Sequence, residues 1–277
     1  MRQSARWADI CKLLCSCDVV GLSGTQINTS LACQQDVCHG YHRFQWGRGP
    51  GLRGKPTGCA LLFKKTSFAA RGFKWIYSPP DKLKGRLGAV RFHTVSMDVC
   101  FITGYAYVCD RSDRAKGECD YFWQHVYKLL DELPARCVPI LLFDAIAKIG
   151  IPPGILSGIR AVSDTYIGDV QPDELDYNGS LLYDFLHHHF LSAINTYFDT
   201  GPTFFHCRGR GASRIDYIIS TSAVRNSCSK CEVWMHTGAQ LQLINTAMPR
   251  DHMPLIADIK VGPFFFLVRS DAGCMEA

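Results

Sequence analysis

The sequence predicts an α/β protein in which two sheets pack face to face with helices outside. Three observations carry this. Strand-like segments outnumber helical ones, and helices recur between groups of strands. In addition, the run Val138 to Phe143 is continuously apolar, as in a strand covered on both faces. Periodicity alone leaves other α+β layouts open.

Taken in order, Ser4 to Cys17 places Trp7, Ile10, Leu13 and Leu14 at helical spacing. Asp18 to Leu22 reads as a short buried strand. Residues 28 to 57 read as loop, rich in Gly and Pro and carrying Arg43, Arg48, Arg53 and Lys55. Gly58 to Phe63, Leu87 to Phe92 and Val99 to Tyr107 are β-like. Gly117 to Leu133 is an amphipathic helix with Phe122, Val126, Leu129, Leu130 and Leu133 on one side, stopped by Pro134. Residues 145 to 180 read as a long connection and Leu181 to Phe190 as a helix. Leu191 to Phe198, Arg214 to Ser220, Cys231 to His236 and Pro254 to Val261 are expected strands. No linker divides the chain, so residues 1–277 are expected to form a single domain.

A chain of 277 residues with 47% apolar and 20% charged residues can bury a sizeable core, which excludes disordered and collagen-like classes. The net charge of +5 permits a polyanionic partner without requiring one. No apolar run approaches ~20 residues, so no membrane span or membrane partner is expected. The 14 cysteines form no evenly spaced framework and no signal peptide precedes them. They are expected to be reduced, with no disulfide partner, in an intracellular protein whose compartment, nucleus or cytoplasm, stays open. Cys228 and Cys231 lack the second pair that a closed zinc site needs. His187, His188 and His189 point about 100° apart on a helix and are expected not to converge on one ion.

Acids and a histidine at the ends of apolar strands carry the chemistry. Asp144 directly follows Ile140-Leu141-Leu142-Phe143, a position suited to a site and equally to a cap. Asp216 lies within the apolar segment Ile215 to Ile218, where an unpaired carboxylate is costly; it needs an arginine, a histidine or a metal as partner. Asp251-His252 precedes another apolar segment, and histidine moves protons near neutral pH; a capped turn with an incidental histidine is the alternative. Together, hard oxygen ligands and an acid-oriented imidazole suggest metal-assisted phosphodiester hydrolysis.

The order of motifs then resembles a known family. Asp18 to Thr25 resembles a strand ending in Gln-Glu-Thr. Arg86 to Phe92 and Cys100 to Tyr107 resemble a hairpin ending in Tyr-Ala-Pro, and Pro139 to Gly150 a strand carrying Gly-Asp-Phe-Asn. Ile194 to Phe198 is similar to an Asn-Thr strand, Arg214 to Ile218 matches Ile-Asp-Tyr-Ile, and Arg250-Asp251-His252 matches Ser-Asp-His. From about residue 5 to 261 the chain resembles the endonuclease/exonuclease/phosphatase (DNase I-like) superfamily, in the style of LINE-type retrotransposon endonuclease domains. The resemblance implies a four-layer α/β/β/α sandwich of two mainly antiparallel sheets. It further implies Mg²⁺ (or Mn²⁺) as cofactor, DNA as partner and, in a longer ancestral product, a reverse transcriptase domain. Phosphatase or lipid phosphodiesterase activity is found on the same fold.

Carried over, Asp144 positions and activates water, His252 contacts the scissile phosphate and Asp216 orients His252. Asp251 binds or orients the metal, Tyr105 hydrogen-bonds the phosphate, and Asn195 supports the phosphate or the catalytic acid. Arg208, Arg210 and Arg214 are expected to meet nucleic acid. Three departures weaken the match. The metal-binding Glu falls at Gly24, leaving Gln26, two residues on along the same strand face, as a neutral substitute. The Asn of Gly-Asp-Phe-Asn falls at Ile146. The family's first strand is missing ahead of Ser4, so an open sheet edge, a fragment and a non-catalytic nucleic-acid-binding remnant all enter as expectations.

Overall fold

The computed structural model describes residues 2–26, 33–47, 57–67, 72–110, 112–150, 165–206, 211–241 and 251–260. Its framework is a six-stranded sheet: β5 (Phe73–Ile76), β6 (Leu87–His93), β7 (Asp98–Tyr105), β8 (Val138–Asp144), β12 (Asp216–Thr221) and β9 (Leu191–Ala193), in that spatial order. Only the β7–β8 pairing is parallel; the others are antiparallel. A second, antiparallel sheet runs β1 (Val19–Ser23), β4 (Cys59–Lys64), β3 (Tyr41–Trp46), β2 (Gln34–Cys38).

The apolar pattern explains the layering. Strand side chains alternate between faces. Phe44, Trp46, Leu61 and Phe63 of the second sheet therefore meet Val90, Phe92, Val99 and Phe101 of the first. Glycine lets the sheets pack closely where Trp46 lies over Gly88; a Cβ there would stand 2.2 Å from the indole. The other face of the large sheet, with Leu87, Ala89, Ile102, Leu141 and Phe143, is covered by α2 (Asp113–Asp131) and α3 (Tyr177–His188). α1 (Arg2–Leu13) covers the second sheet, where Cys11 joins Val20, Tyr41 and Leu62. The order of layers is helix, sheet, sheet, helix, as the sequence predicts.

Several boundaries differ from the sequence expectation. α2 begins at Asp113 because the Ser112 hydroxyl accepts from the Ala115 amide. α3 begins at Tyr177 because the Asp176 carboxylate accepts from the Gly179 amide. The expected loop over 28 to 57 contains a hairpin, β2–β3, turned through His39 and Gly40, both at positive φ. The expected strand Leu191 to Phe198 stops at Ala193 and winds into a 3₁₀ turn, Ile194–Tyr197.

The remaining elements are β10 (Phe204–Phe205), β11 (Ala212–Ser213), α4 (Ser222–Ser227), β13 (Cys228–Val233), α5 (Met235–Leu241), β14 (Asp251–His252) and β15 (Leu255–Ile259). β13 pairs with β15 in a separate two-stranded sheet. Among the described residues β1 pairs only with β4 and stands at the edge of its sheet. All described cysteines are free thiols, and no described helix is long and apolar enough to cross a membrane.

A candidate active site where strand ends converge

Asp144 ends β8, and the sheet register sets both neighbours: Tyr105 at the end of β7 and Asp216 at the start of β12 stand directly beside it. His252 arrives from far along the chain. β14 pairs with β10, and β10 with β11, two residues ahead of Arg214 to Asp216, so this small sheet lowers His252 onto the strand ends. The Phe204 ring packs 5.0 Å from the imidazole.

The imidazole is held by geometry and charge. Nδ1 of His252 lies 3.1 and 3.0 Å from the two Asp216 carboxylate oxygens, and Nε2 lies 3.6 Å from Asp144 Oδ2. Asp251 Oδ1 stands 3.9 Å from the same Nε2. Burial lowers the His252 pKa, but the Asp216 hydrogen bond and the charges of Asp216, Asp144 and Asp251 outweigh it and push it up to about 9. With its side chain 37% exposed, the ring remains open to an incoming molecule. Asp144 is the opposite case. It is 6% exposed, and its Oδ1 has no hydrogen-bond partner in the protein. Burial first, then the charge of Asp216, push its carboxyl up to about 8 against the pull of His252. Burial and Asp144 also raise the Tyr105 phenol.

Residues with no local signature in the sequence hold this arrangement. Thr203, fully buried, accepts through Oγ1 from the amides of Ile215 and Asp216 and through its carbonyl from the Met253 amide, tying β12 to the His252 segment. Asn178 of α3 donates to the carbonyls of Tyr107 and Ile146, fastening the loops that follow Tyr105 and Asp144. The Tyr217 hydroxyl donates to the Ala147 and Arg214 carbonyls beneath the same loop.

One expected role changes and another narrows. Arg214 is 3% exposed, and its guanidinium donates to the carbonyls of Val170, Gln171 and Asn195. A buried clamp of this kind cannot meet a nucleic-acid backbone, so the expectation for Arg214 is corrected. Asn195 is fully buried; it donates to the Asp216 carbonyl and accepts from the Ile218 amide. Both its polar atoms serve the strand carrying Asp216, so of its two expected roles, supporting the phosphate or supporting the catalytic acid, the geometry fits the second. Arg208, Arg210, Arg48, Arg53, Lys55 and Arg250 lie outside the described residues. Arg43 is described, but it pairs with Asp36 and stacks over Trp7.

The departures from the motif pattern have a visible backbone. The Ser23 hydroxyl donates to the Gly104 carbonyl, one residue before Tyr105, so Gly24 follows at the site end of β1. Gly24 has φ +68, and a Cβ there would meet nothing within 4 Å. Gln26 lies beyond the end of β1 with φ 56, so it does not share a strand face with Gly24; that expectation is corrected. Ile146 sits at φ 46, which is unfavourable for a β-branched residue.

The donor set can be tested against a divalent cation. Asp144, Asp216 and His252 bring one ligand atom each to within 4.8 Å of one another. Asp216 is already engaged by Nδ1, however, and a protonated imidazole is no ligand. The carboxylate oxygens left are the unpartnered Asp144 Oδ1 and the exposed Asp251. Two carboxylates fit a largely hydrated, oxygen-seeking ion, with less hold than a site containing a third acid at position 24.

This architecture is a DNase I-like fold. No protein-family model and no curated protein matches the sequence. Among solved structures, an AP endonuclease from Archaeoglobus fulgidus superposes with TM-score 0.60 at 14% identity, covering 92% of this chain and 93% of that one. The Xenopus laevis APE2 catalytic domain gives 0.61 at 14%, covering 94% and 88%. The endonuclease domain of TRAS1, a telomere-specific non-LTR retrotransposon, gives 0.56 at 16%, covering 93% and 92%. At these identities the likeness carries the fold.

Proposed function

We propose that the chain is a single-domain, Mg²⁺-dependent (or Mn²⁺-dependent) phosphodiesterase acting on DNA, of retrotransposon-endonuclease type, with a weakened metal hold. The observation that carries it is the Asp216–His252–Asp144 arrangement: three residues 36 and 72 positions apart meet with Asp216 fixing the ring and Nε2 turned toward an unpartnered carboxylate. A satisfied structural triad would leave no such oxygen.

In this reading the half-exposed His252, kept protonated by its acid neighbours, offers Nε2–H to a non-bridging phosphate oxygen. Asp144 Oδ1 orients the attacking water and receives its proton. The Tyr105 hydroxyl, one strand over, donates to the phosphate. Asp251 would hold the hydrated cation, which supplies charge neutralisation at the phosphate when bound. Asp216 and Thr203 act through His252 and are positioning residues.

Gly24 and Ile146 favour a second reading, a nucleic-acid-binding remnant without turnover. One experiment separates the two: nicking of supercoiled plasmid with Mg²⁺ by the natural chain, by His252→Ala, and by the double variant Gly24→Glu, Ile146→Asn. Nicking by the natural chain that His252→Ala abolishes supports the nuclease. Nicking by the double variant alone supports the remnant, whose DNA binding should then fall steeply with salt. Nicking by neither rejects the nuclease reading, and turnover of an inositol phosphate in its place would point to phosphatase chemistry.

A further inference from the structure

A second cluster of metal-ligating side chains lies at the other end of the large sheet. β8 runs from the end of α2 toward Asp144, so its seven residues separate this cluster from the candidate active site by roughly 20 Å. Asp131 is the last residue of α2, His188 the last of α3, and His189 its C-cap. The sequence expectation that adjacent histidines diverge holds for His187, whose ring packs on Tyr166 and Tyr183. It fails for the next two. His189 leaves the helix at φ −95, ψ 5, and its ring comes to 4.7 Å from that of His188.

The Tyr127 ring braces both imidazoles, at 5.1 and 5.0 Å. His189 Nδ1 stands 4.0 Å from Asp131 Oδ1. That is too long for a hydrogen bond. It approaches the separation of two ligands on one small ion, since ligands about 2.0–2.1 Å from a tetrahedral zinc stand roughly 3.3 Å apart. One ligand atom from each of Asp131, His188 and His189 lies within 4.8 Å of the others. His189 Nε2 is buried with no hydrogen-bond partner, so hydrogen bonding in the protein does not account for how this ring is placed. Two helix C-termini converge here, and their dipoles favour a cation.

We propose that Asp131, His188 and His189 form a binding site for a zinc-class transition-metal ion that cross-links the ends of α2 and α3. Two imidazoles and one carboxylate suit Zn²⁺, Co²⁺, Ni²⁺ or Cu²⁺ and disfavour Mg²⁺. Three protein ligands leave a fourth position to water. The site does not depend on the nuclease reading.

The test uses the full chain freed of metal by chelation, then titrated with Zn²⁺ in the presence of Mg²⁺. Three proteins are compared: the natural chain, the double variant Asp131→Asn, His188→Gln, and the double variant Asp144→Asn, His252→Gln. Asp131 and His188 are both exposed, so their replacement leaves the core intact. The natural chain and the active-site variant should bind one equivalent and melt at a higher temperature with Zn²⁺. The helix-end variant should lose that equivalent, with affinity at least 10- to 100-fold lower. Equal zinc affinity in the helix-end variant overturns the proposal and assigns the ion to thiols or to the strand-end site. No bound equivalent in the natural chain overturns it too. Histidine side-chain resonances give a check that needs no variant: Zn²⁺ must shift two imidazoles in contact with each other and with Tyr127.

Discussion

Asp98 and Asp144 are the same residue type at nearly the same burial, 4% and 6% exposed, in neighbouring strands of one sheet. Their surroundings drive them in opposite directions. Asp98 begins β7 and is held by two hydrogen bonds from Arg91 and one from Arg136. These overcome its burial and bring its carboxyl down to about 2. Asp144 ends β8 with one oxygen unpartnered, and its carboxyl is pushed up. A fully paired acid belongs to the scaffold. An acid left short of partners carries a cost that the scaffold does not require, and on that ground Asp144 is proposed for the site.

Breaking each acid in turn should separate the two roles most sharply. Asp98→Asn strips two arginines of a buried partner, an effect of about 3–5 kcal/mol when such a pair is broken. Its urea midpoint should fall accordingly while nicking per folded molecule stays constant. Asp144→Asn should do the reverse, lowering nicking by 100-fold or more with a midpoint unchanged or higher, because a neutral amide is easier to bury than a carboxylate with one oxygen left unpartnered. Parallel losses of stability in both variants would make Asp144 a second scaffold acid.

Thr203 lies between these extremes, as a scaffold residue whose only evident task is the site. Thr203→Val removes the acceptor for the Ile215 and Asp216 amides. Leaving buried donors unsatisfied costs about 1–3 kcal/mol each. Stability and nicking should therefore fall together, and a Thr203→Ser variant should restore both. Failure of serine to rescue would assign the role to the methyl group.

Much of this contrast was legible in the sequence, for a physical reason. Strands β4, β6, β7, β8 and β12 are buried, so their apolar runs announce themselves, and an acid at the end of such a run stands out. The β2–β3 hairpin, with Gln34, Gln35, Asp36, His42 and Arg43, mixes polar residues into its pattern and reads as loop. Its one signal was His39-Gly40, a pair able to take positive φ. Arg214 was misread because a cation beside an apolar strand looks like surface; only the fold brings the carbonyls of Val170, Gln171 and Asn195 around it. Nothing local distinguishes Thr203 or Asn178, whose partners come from other segments of the chain.

Acid titration tests the scaffold side of the comparison alone. Because the folded-state pKa of Asp98 lies below its unfolded value of 3.8, its contribution is fully present above that value. It is lost as pH falls from about 4 toward about 2. At ~1.4 kcal/mol per unit the loss amounts to about 2 kcal/mol. The difference in unfolding free energy between the natural chain and Asp98→Asn should shrink by that amount across this window. A constant difference would mean that the arginines hold Asp98 no better in the folded chain than in the unfolded one.

The smallest effect concerns the altered side of the site. Ile146 and Gly24 both sit in left-handed backbone, at φ 46 and 68. Glycine takes that conformation freely. For other L-residues it costs roughly 1–2 kcal/mol, least for asparagine, whose side chain bonds locally. The loop after Asp144 thus keeps a backbone suited to the residue its motif lacks, fixed by the Asn178 bond to the Ile146 carbonyl. Ile146→Asn should raise stability by up to about 1 kcal/mol, despite some loss of apolar contact, because relieved backbone strain outweighs a half-buried side chain. Gly24→Ala should lower it by a similar amount through backbone alone, since its Cβ would meet nothing within 4 Å. As a control, Ile149→Asn, at 1% exposure, should destabilise by several kcal/mol. If Ile146→Asn instead lowers the midpoint, its side chain serves as core, and the loop has been rebuilt around isoleucine.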